Sequence, residues 1–202
     1  MSEQAFSATQ LSQDESKLLT RLRAGDREAV AAIEKRYGSE LRLFCRRMLA
    51  DAAAAEDAVQ DVLATCCRLE AESLPQVSIR GWLYQIARRR CIDMHRRRHD
   101  ETRPDARGPR RAQPSFDNAV DPLTTPAGKA LKLDRAAKIL TVLNEMDEEL
   151  RSVVIMRYFQ DLPREEIAEA VGLSLAGTKA RLSKAMQLLR EKLDLSDDSG
   201  TA

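Results

Sequence analysis

Aromatic and β-branched residues are scarce in this sequence. Aromatic side chains make up 4% of the 202 residues, which leaves little material for sheet cores, and alternating runs of Val, Ile and Thr are few. Ala, Leu, Glu and Arg dominate instead, and these residues favour helices. Hydrophobic residues still reach 43%, enough to form cores. The composition therefore predicts an all-α protein with one large domain or two small ones.

Long apolar runs are also missing. No stretch approaches the roughly 18 consecutive apolar residues of a membrane helix, and residues 1–10 lack the apolar core of a secretion signal. We therefore expect a cytoplasmic protein that does not insert into a membrane.

Patterns typical of metal sites and active sites are absent too. The four cysteines form no CxxC pair, and no histidine stands at zinc-finger spacing from them. Acidic residues fall on helix faces without ligand-like clusters, so we expect no metal, no cofactor and no catalytic residue. Free, mostly buried thiols are the expectation for the cysteines. A redox sensor at the adjacent Cys66 and Cys67 stays open as an alternative.

Excess positive charge is confined to one short segment. Residues 1–79 and 112–202 each carry a net charge of −3, whereas residues 80–111 carry 11 arginines and 4 acids. Such a cluster is typical of a phosphate-binding surface. A solvated, arginine-rich helix end is the alternative.

Three helices are predicted in the first half. Residues 28–50 carry an apolar stripe at helical spacing, with Asp26 as the N-cap. A second helix, 53–69, places Asp57, Gln60 and Asp61 opposite its apolar side. The third, 80–98, is expected to point most of its arginines away from the core. Beyond it, residues 101–130 hold five of the seven prolines and no helical period, which predicts a linker.

The second half, 131–195, ends in a helix-turn-helix pattern. One helix begins near Pro163 and ends at Gly172, and Ser174 caps the next. In that last helix Leu175 is expected to point inward, and Thr178, Lys179, Arg181 and Lys184 outward. An earlier helix, 147–158, is expected to bury Tyr158. A basic, exposed helix start after such a turn is typical of DNA recognition.

Two regions of the sequence, one in each half, together resemble a known family. AEDAVQDVLATCCRL with IRGWLYQIARRRCIDMHRRR resembles region 2 of bacterial extracytoplasmic-function (ECF) sigma factors. LNEMDEELRSVVIMRYFQDLPREEIAEAVGLSLAGTKARLSKAMQLLREKL resembles their region 4. The resemblance implies two small helical domains, at 15–100 and 131–195, and a protein that directs RNA polymerase to promoters and helps to open the −10 region. Its implied partners are core RNA polymerase (the β′ clamp helices and β flap), promoter DNA and, as is frequent in the family, an anti-sigma protein.

The same resemblance implies roles for individual residues. It assigns the polymerase-docking surface to Asp57, Gln60 and Asp61, for which a solvated acidic face is the alternative. The implied contacts to −10 DNA are Arg80, Trp82, Tyr84, Arg88, Arg89, Asp93, Arg96 and Arg97. The implied contacts to −35 DNA are Ser174, Gly177, Thr178, Lys179, Arg181 and Lys184.

Four positions depart from the family pattern or fit two interpretations. The spacing of Trp82 also suits the core. Arg89 stands where the family often has asparagine, so base choice near −10 does not carry over. Gly177 and Thr178 stand where threonine and valine are usual, so their −35 contacts do not carry over either.

Two other classes of protein compete with this interpretation. A lone helix-turn-helix regulator would bind duplex DNA without polymerase, but it would have no need of the region 2-like half. An enzyme with a helix-turn-helix tail would need an active site, and no arrangement of residues supports one.

Overall fold

The computed structural model describes residues 14–68, 78–101 and 137–197, and all secondary structure in these ranges is helical. This confirms the predicted all-α fold. The first half holds α1 (14–23), α2 (Arg27–Leu49), α3 (Ala52–Arg68) and α4 (Ile79–Glu101). The second half holds α5 (137–145), α6 (Glu148–Val154), α7 (Arg164–Val171) and α8 (Leu175–Asp197). The predicted linker lies, beyond residue 101, outside the described residues.

Helices α2, α3 and α4 pack against one another to form the core of the first half. Ile33, Phe44, Val59 and Leu83 are fully buried there, as expected from their helical spacing. The predicted cap is confirmed, since the Asp26 carboxylate accepts a hydrogen bond of 2.9 Å from the Glu28 amide. The sequence interpretation missed α1, although its buried Leu18, Leu19 and Leu22 also recur at helical steps.

In the second half, the helix-turn-helix geometry is confirmed. Gly172 ends α7 in the left-handed conformation, with φ of +69°, which glycine adopts without steric cost. The Ser174 hydroxyl then accepts a hydrogen bond of 3.1 Å from the Gly177 amide and caps α8. These local features fix the angle at which α8 leaves α7.

Three orientations in this half were predicted wrongly. Thr178 is fully buried rather than exposed, because it shares the buried stripe of α8 with Leu182, Ala185 and Leu189 at helical steps. Leu175, one turn earlier, is half exposed. Tyr158 is 55% exposed, because the helix widens into a π-helical turn at Ile155–Phe159 and later side chains rotate out of the α-helical phase.

The two halves pack against each other. Helix α4 lies along α7, and α2 contacts α6 and the π-helical turn. Gly81 lies where α4 and α7 come close together, and an added Cβ would come within 3.1 Å of the Glu166 carbonyl oxygen. None of the helices in the described ranges is long and apolar enough to span a membrane.

Candidate polymerase and nucleic-acid interfaces

The acidic surface of α3 is open to solvent. Asp57 and Gln60 are exposed, and Asp61 is partly exposed on the same side. The Asp61 carboxylate lies 2.5 Å from Arg90 Nε, which ties this surface to α4. The nearby Glu56 accepts a hydrogen bond from Arg42, which lowers the pKa of the Glu56 carboxyl. The ion pairs with Arg42 and Arg90 thus hold Glu56 and Asp61 beside the exposed Asp57 and Gln60.

One face of α4 is an open basic stripe. Arg89, Asp93, Arg96 and Arg97 are all exposed, and their spacing places them along one side of the helix. Three guanidinium groups on so short a segment can each contact a separate phosphate. Four of the eight residues implied for −10 DNA therefore lie together and are accessible.

The other four are buried or largely covered. Trp82, Tyr84 and Arg88 are buried, and the Arg80 side chain is 23% exposed. Tyr84 packs edge-to-face against Phe44, with ring centroids 5.1 Å apart, and burial raises the pKa of its hydroxyl. The burial of Trp82 fits its alternative role in the core. Because Arg80 and Arg88 pair with Glu166 and Glu149 of the second half, their contact with DNA would first require movement of that half.

Arg80 lies among acceptors from both halves. Its Nη2 atom donates to the Glu40 carboxylate at 2.7 Å and to the Gln160 carbonyl oxygen at 2.9 Å. Its Nη1 atom lies 3.5 Å from Glu166 Oε2. Burial opposes the Arg80 charge, but the hydrogen bond to Glu40 still raises the pKa of the guanidinium. Burial also raises the pKa of Glu166, and Arg80 partly offsets that rise.

A single carboxylate, that of Glu149, engages two arginines implied to bind different promoter elements. Its Oε2 atom accepts from Arg88 of α4 and, at 2.7 Å, from Arg181 of α8. Arg88 also donates to the Ser152 hydroxyl at 3.2 Å. Beside this cluster, His95 Nδ1 lies 2.8 Å from Glu148 Oε1. The first turn of α6 thus faces Arg88 and His95 of α4 with carboxylates.

The residues that the resemblance assigns to −35 DNA also divide into exposed ones and covered or engaged ones. Lys179 and Lys184 are exposed, whereas Ser174 is engaged as the cap. Gly177 is partly exposed and Arg181 is paired with Glu149. Thr178 is buried, and its hydroxyl has no hydrogen-bond partner among the described residues. The Thr178 side chain cannot reach DNA without a change in α8 packing.

A groove of about 280 Å³ lies beside the exposed start of α8. Four cationic side chains line it: Arg157, Arg164, Lys179 and Arg190. Sequence reasoning identified Lys179 alone. Arg164 was detectable, since it follows Pro163 in the first turn of a helix. Arg157 could not be detected in this way, because no sequence pattern predicts the π-helical turn on which it lies.

The chain is similar to known proteins along most of its length. The family model for the ECF sigma factor matches residues 12–196. The ECF RNA polymerase sigma factor SigW of Bacillus subtilis is 23% identical, over 88% of this chain and 95% of SigW. The probable RNA polymerase sigma factor RfaY of Xanthomonas campestris is 26% identical over 84% of this chain. The aligned part covers 42% of the length of RfaY.

A solved structure gives the same result for the fold. CnrH, determined in complex with the cytosolic domain of CnrY, superposes with a TM-score of 0.59 at 20% identity. The match covers 90% of this chain and 97% of CnrH. The helical architecture of both halves is therefore that of a known protein.

Proposed function

Because this chain belongs to the ECF sigma factor family, whose members start transcription at specific promoters with RNA polymerase, we propose how its surfaces divide that task. The α3 surface docks on core polymerase, α4 reads and opens the −10 region, and α8 reads the −35 element. The open arginine stripe on α4 is the observation that carries this proposal.

Docking uses the acidic side of α3. Asp57, Gln60 and Asp61 would meet the β′ clamp helices, and the second half would meet the β flap. Complementary charge across such an interface speeds association and suppresses wrong partners. In support, Asp57 and Gln60 are exposed in the packed arrangement of the two halves.

Opening of the −10 region uses α4. Arg89, Arg96 and Arg97 would hold backbone phosphates while unstacked bases of one strand are read. Unpairing costs a few kcal/mol, and a domain of this size needs polymerase to offset that cost. The exposed stripe supports this role because its arginines need no rearrangement to reach a phosphate.

Recognition of the −35 element uses the groove beside α8. Arg164 and Lys179 would hold phosphates on either side of the major groove, while Lys184 is exposed farther along α8. The four cations that line the groove support this placement.

An anti-sigma protein is the proposed regulatory partner. Two solved structures of similar fold support it: CnrH is in complex with the cytosolic domain of CnrY, and the sigma factor RpoE is in complex with the anti-sigma factor NepR. Co-purification of the anti-sigma protein with truncated variants of this chain would locate the surface used.

The test is run-off transcription with core polymerase on duplexes whose promoter region is randomised. We expect transcripts from a small, recurring set of sequences, and Arg96→Ala/Arg97→Ala should reduce them at least about tenfold through lost phosphate contacts. Arg23→Ala/Arg27→Ala, which removes two exposed arginines from the first half away from α4, is the matched control. Transcription that ignores sequence, or that both variants reduce equally, would contradict the proposal.

A further inference from the structure

An arginine of α2 reaches across to the helix that carries the proposed docking surface. Arg42 Nε donates to Glu56 Oε2 of α3 at 2.9 Å, and Arg42 Nη2 donates to Glu56 Oε1 at 3.4 Å. The same Nη2 atom donates to Glu34 Oε1, 3.1 Å away on α2. One guanidinium group thus contacts both oxygens of a carboxylate on the neighbouring helix, which fixes the orientation of that carboxylate as well as its distance.

A glycine in the middle of α2 makes room for this arrangement. Glycine inside a helix is less favourable than alanine, so a packing reason is expected for Gly38. A Cβ at this position would lie 2.9 Å from Arg42 Nη1, closer than side chains normally approach. Because this guanidinium is the end of a flexible side chain, Gly38→Ala would displace it rather than strain the helix. The missing side chain therefore lets Arg42 lie between Glu34 and Glu56.

Glu56 in turn fixes the side-chain amide of Gln60. Gln60 Nε2 donates to Glu56 Oε1 at 3.3 Å, one helical turn along α3. Hydrogen bonds from Arg42 and Gln60 lower the pKa of the Glu56 carboxyl, so this group is ionised at neutral pH and can only accept. The amide nitrogen of Gln60 must therefore face Glu56, which leaves Gln60 Oε1 available as an acceptor for another molecule.

We propose that Arg42 is a positioning residue for polymerase docking: through Glu56, it orients the amide of Gln60 so that the amide oxygen accepts a hydrogen bond from a basic side chain of polymerase. The inference rests on the proposed function, since it takes the α3 surface as the docking site. With this orientation, Asp57, Gln60 and Asp61 all present acceptors. Such a surface fits a partner surface of arginine and lysine donors.

A purely structural role for Arg42, in packing α2 against α3, makes a different prediction. The side chains of Arg42 and Glu56 are 35% and 47% exposed, and ion pairs this exposed contribute little to stability. A packing role would also not involve Gln60, which lies on the exposed side of α3. The two roles therefore differ in whether the effect of Arg42 on polymerase binding depends on Gln60.

The first arm of the experiment follows the Gln60 side-chain amide of the free protein by NMR. Protonation of Glu56 at acidic pH should shift this resonance, because the acceptor loses its charge. Arg42→Met removes the main cause of the lowered pKa of Glu56, so the shift should occur at higher pH than in the wild type. Arg21→Met breaks an exposed ion pair with Asp26, away from α3, and should leave the titration unchanged.

The second arm measures the affinity of the full chain for core RNA polymerase. Arg42→Met should weaken binding about threefold to tenfold, as expected for coupled residues of one network, whereas Arg21→Met should not. If Arg42 acts through Gln60, Arg42→Met should have no further effect in a chain that already carries Gln60→Ala. A packing role would instead give two independent effects that multiply.

Gly38→Ala gives the same test without a change of charge, and it decides the matter if Arg42→Met fails to fold by circular dichroism. It should displace Arg42 and reproduce both the NMR shift and the weaker binding. Wild-type affinity in both variants, or a loss in Arg42→Met that is equal with and without Gln60→Ala, would overturn the inference. So would a Gln60 resonance that titrates alike in the wild type and in both variants. Failure of the proposed function would show separately, as an affinity for core polymerase that Asp57→Lys/Asp61→Lys leaves unchanged while the NMR arm still gives the expected result.

Discussion

Helix α4 carries arginines in two contrasting environments. Arg89, Arg96 and Arg97 are exposed. Arg80 and Arg88 are covered by the second half and paired with carboxylates. Arginine side chains are thus accessible to phosphates where α4 is open and belong to an internal ion-pair network where α4 is covered.

The difference lies in what faces each side of the helix. The covered side meets α6 and α7, whose first turns carry Glu148, Glu149, Glu165 and Glu166. Acidic first turns are favourable in their own helices, because they complement the helix dipole. The charge that stabilises these two helix starts also neutralises arginines of the first half. A basic segment therefore indicates a nucleic-acid surface only where the fold leaves it uncovered.

The largest expected effect concerns the open surface of α3. Asp57→Lys/Asp61→Lys should weaken binding of core polymerase at least about tenfold, since close charge pairs across an interface contribute roughly 1–5 kcal/mol. Glu28→Lys/Glu191→Lys reverses two exposed charges elsewhere and should leave that affinity unchanged. Affinity and circular dichroism would be measured in parallel. If the two double variants bind polymerase alike, α3 is not the docking surface.

Salt dependence distinguishes the two groups of arginines. Replacing Arg89, Arg96 and Arg97 with alanine should lower the slope of log affinity for single-stranded DNA against log salt by about 2, at roughly 0.7 per lost phosphate contact. Arg88→Ala in the free protein should leave the slope at least as steep, because Arg88 is already paired with Glu149. A titration from low to physiological salt gives both slopes. If both variants reduced the slope equally, covered and open arginines would contribute equally to phosphate binding.

The free energy of unfolding should depend more on the covered Arg88 than on the exposed Arg97. Arg88→Met removes the donor to Ser152 and one of the two donors to Glu149. It should lower the free energy of unfolding by ~1–2 kcal/mol, a value discounted because Glu149 is partly solvated. Arg97→Met, at an exposed site, should change it by less than about 0.5 kcal/mol. Urea unfolding of both variants measures the difference. A larger loss for Arg97→Met would contradict the assignment of the two sides.

The smallest expected effect concerns the adjacent cysteines. Burial raises the pKa of the Cys66 thiol to about 12, whereas Cys67 is exposed. A thiol reagent at pH 8 should therefore modify Cys67 quickly and Cys66 slowly, since the thiolate is the reactive form. Mass spectrometry after timed labelling, with Cys67→Ser as the control, follows each site. Rapid, paired oxidation of Cys66 and Cys67 would instead favour the redox-sensor alternative.

Local features of this fold were predictable from the sequence. The stripe from Ile33 to Met48, the Asp26 cap and the Gly172 turn each depend on nearby residues, and all three are confirmed. The exposure of Asp57 and Gln60 also followed from the helical period. Features of this kind are fixed by spacing and by the conformational limits of single residues.

The contact between the halves was not predictable in the same way. It joins Arg88 to Glu149 and Arg80 to Glu166, across a segment for which the sequence predicted a linker. Periodicity shows which arginines share a side of α4 but not which of them another helix covers. The exposure of Tyr158 was missed because the π-helical turn at Ile155–Phe159 shifts the phase of the helix. The burial of Thr178 was within reach of the sequence, since Thr178 shares a stripe at helical steps with Leu182 and Ala185.

The most direct test of the whole account is a salt titration of DNA binding by the wild-type protein, with and without core polymerase, on a selected promoter and its scrambled duplex. The free protein should bind both duplexes weakly, with steep salt dependence and little selectivity, because exposed arginines contact phosphates while Arg80 and Arg88 stay paired with carboxylates of the second half. With core polymerase it should select the promoter and open it. Tight, promoter-selective binding by the free protein at physiological salt would contradict the account and favour a regulator that acts alone.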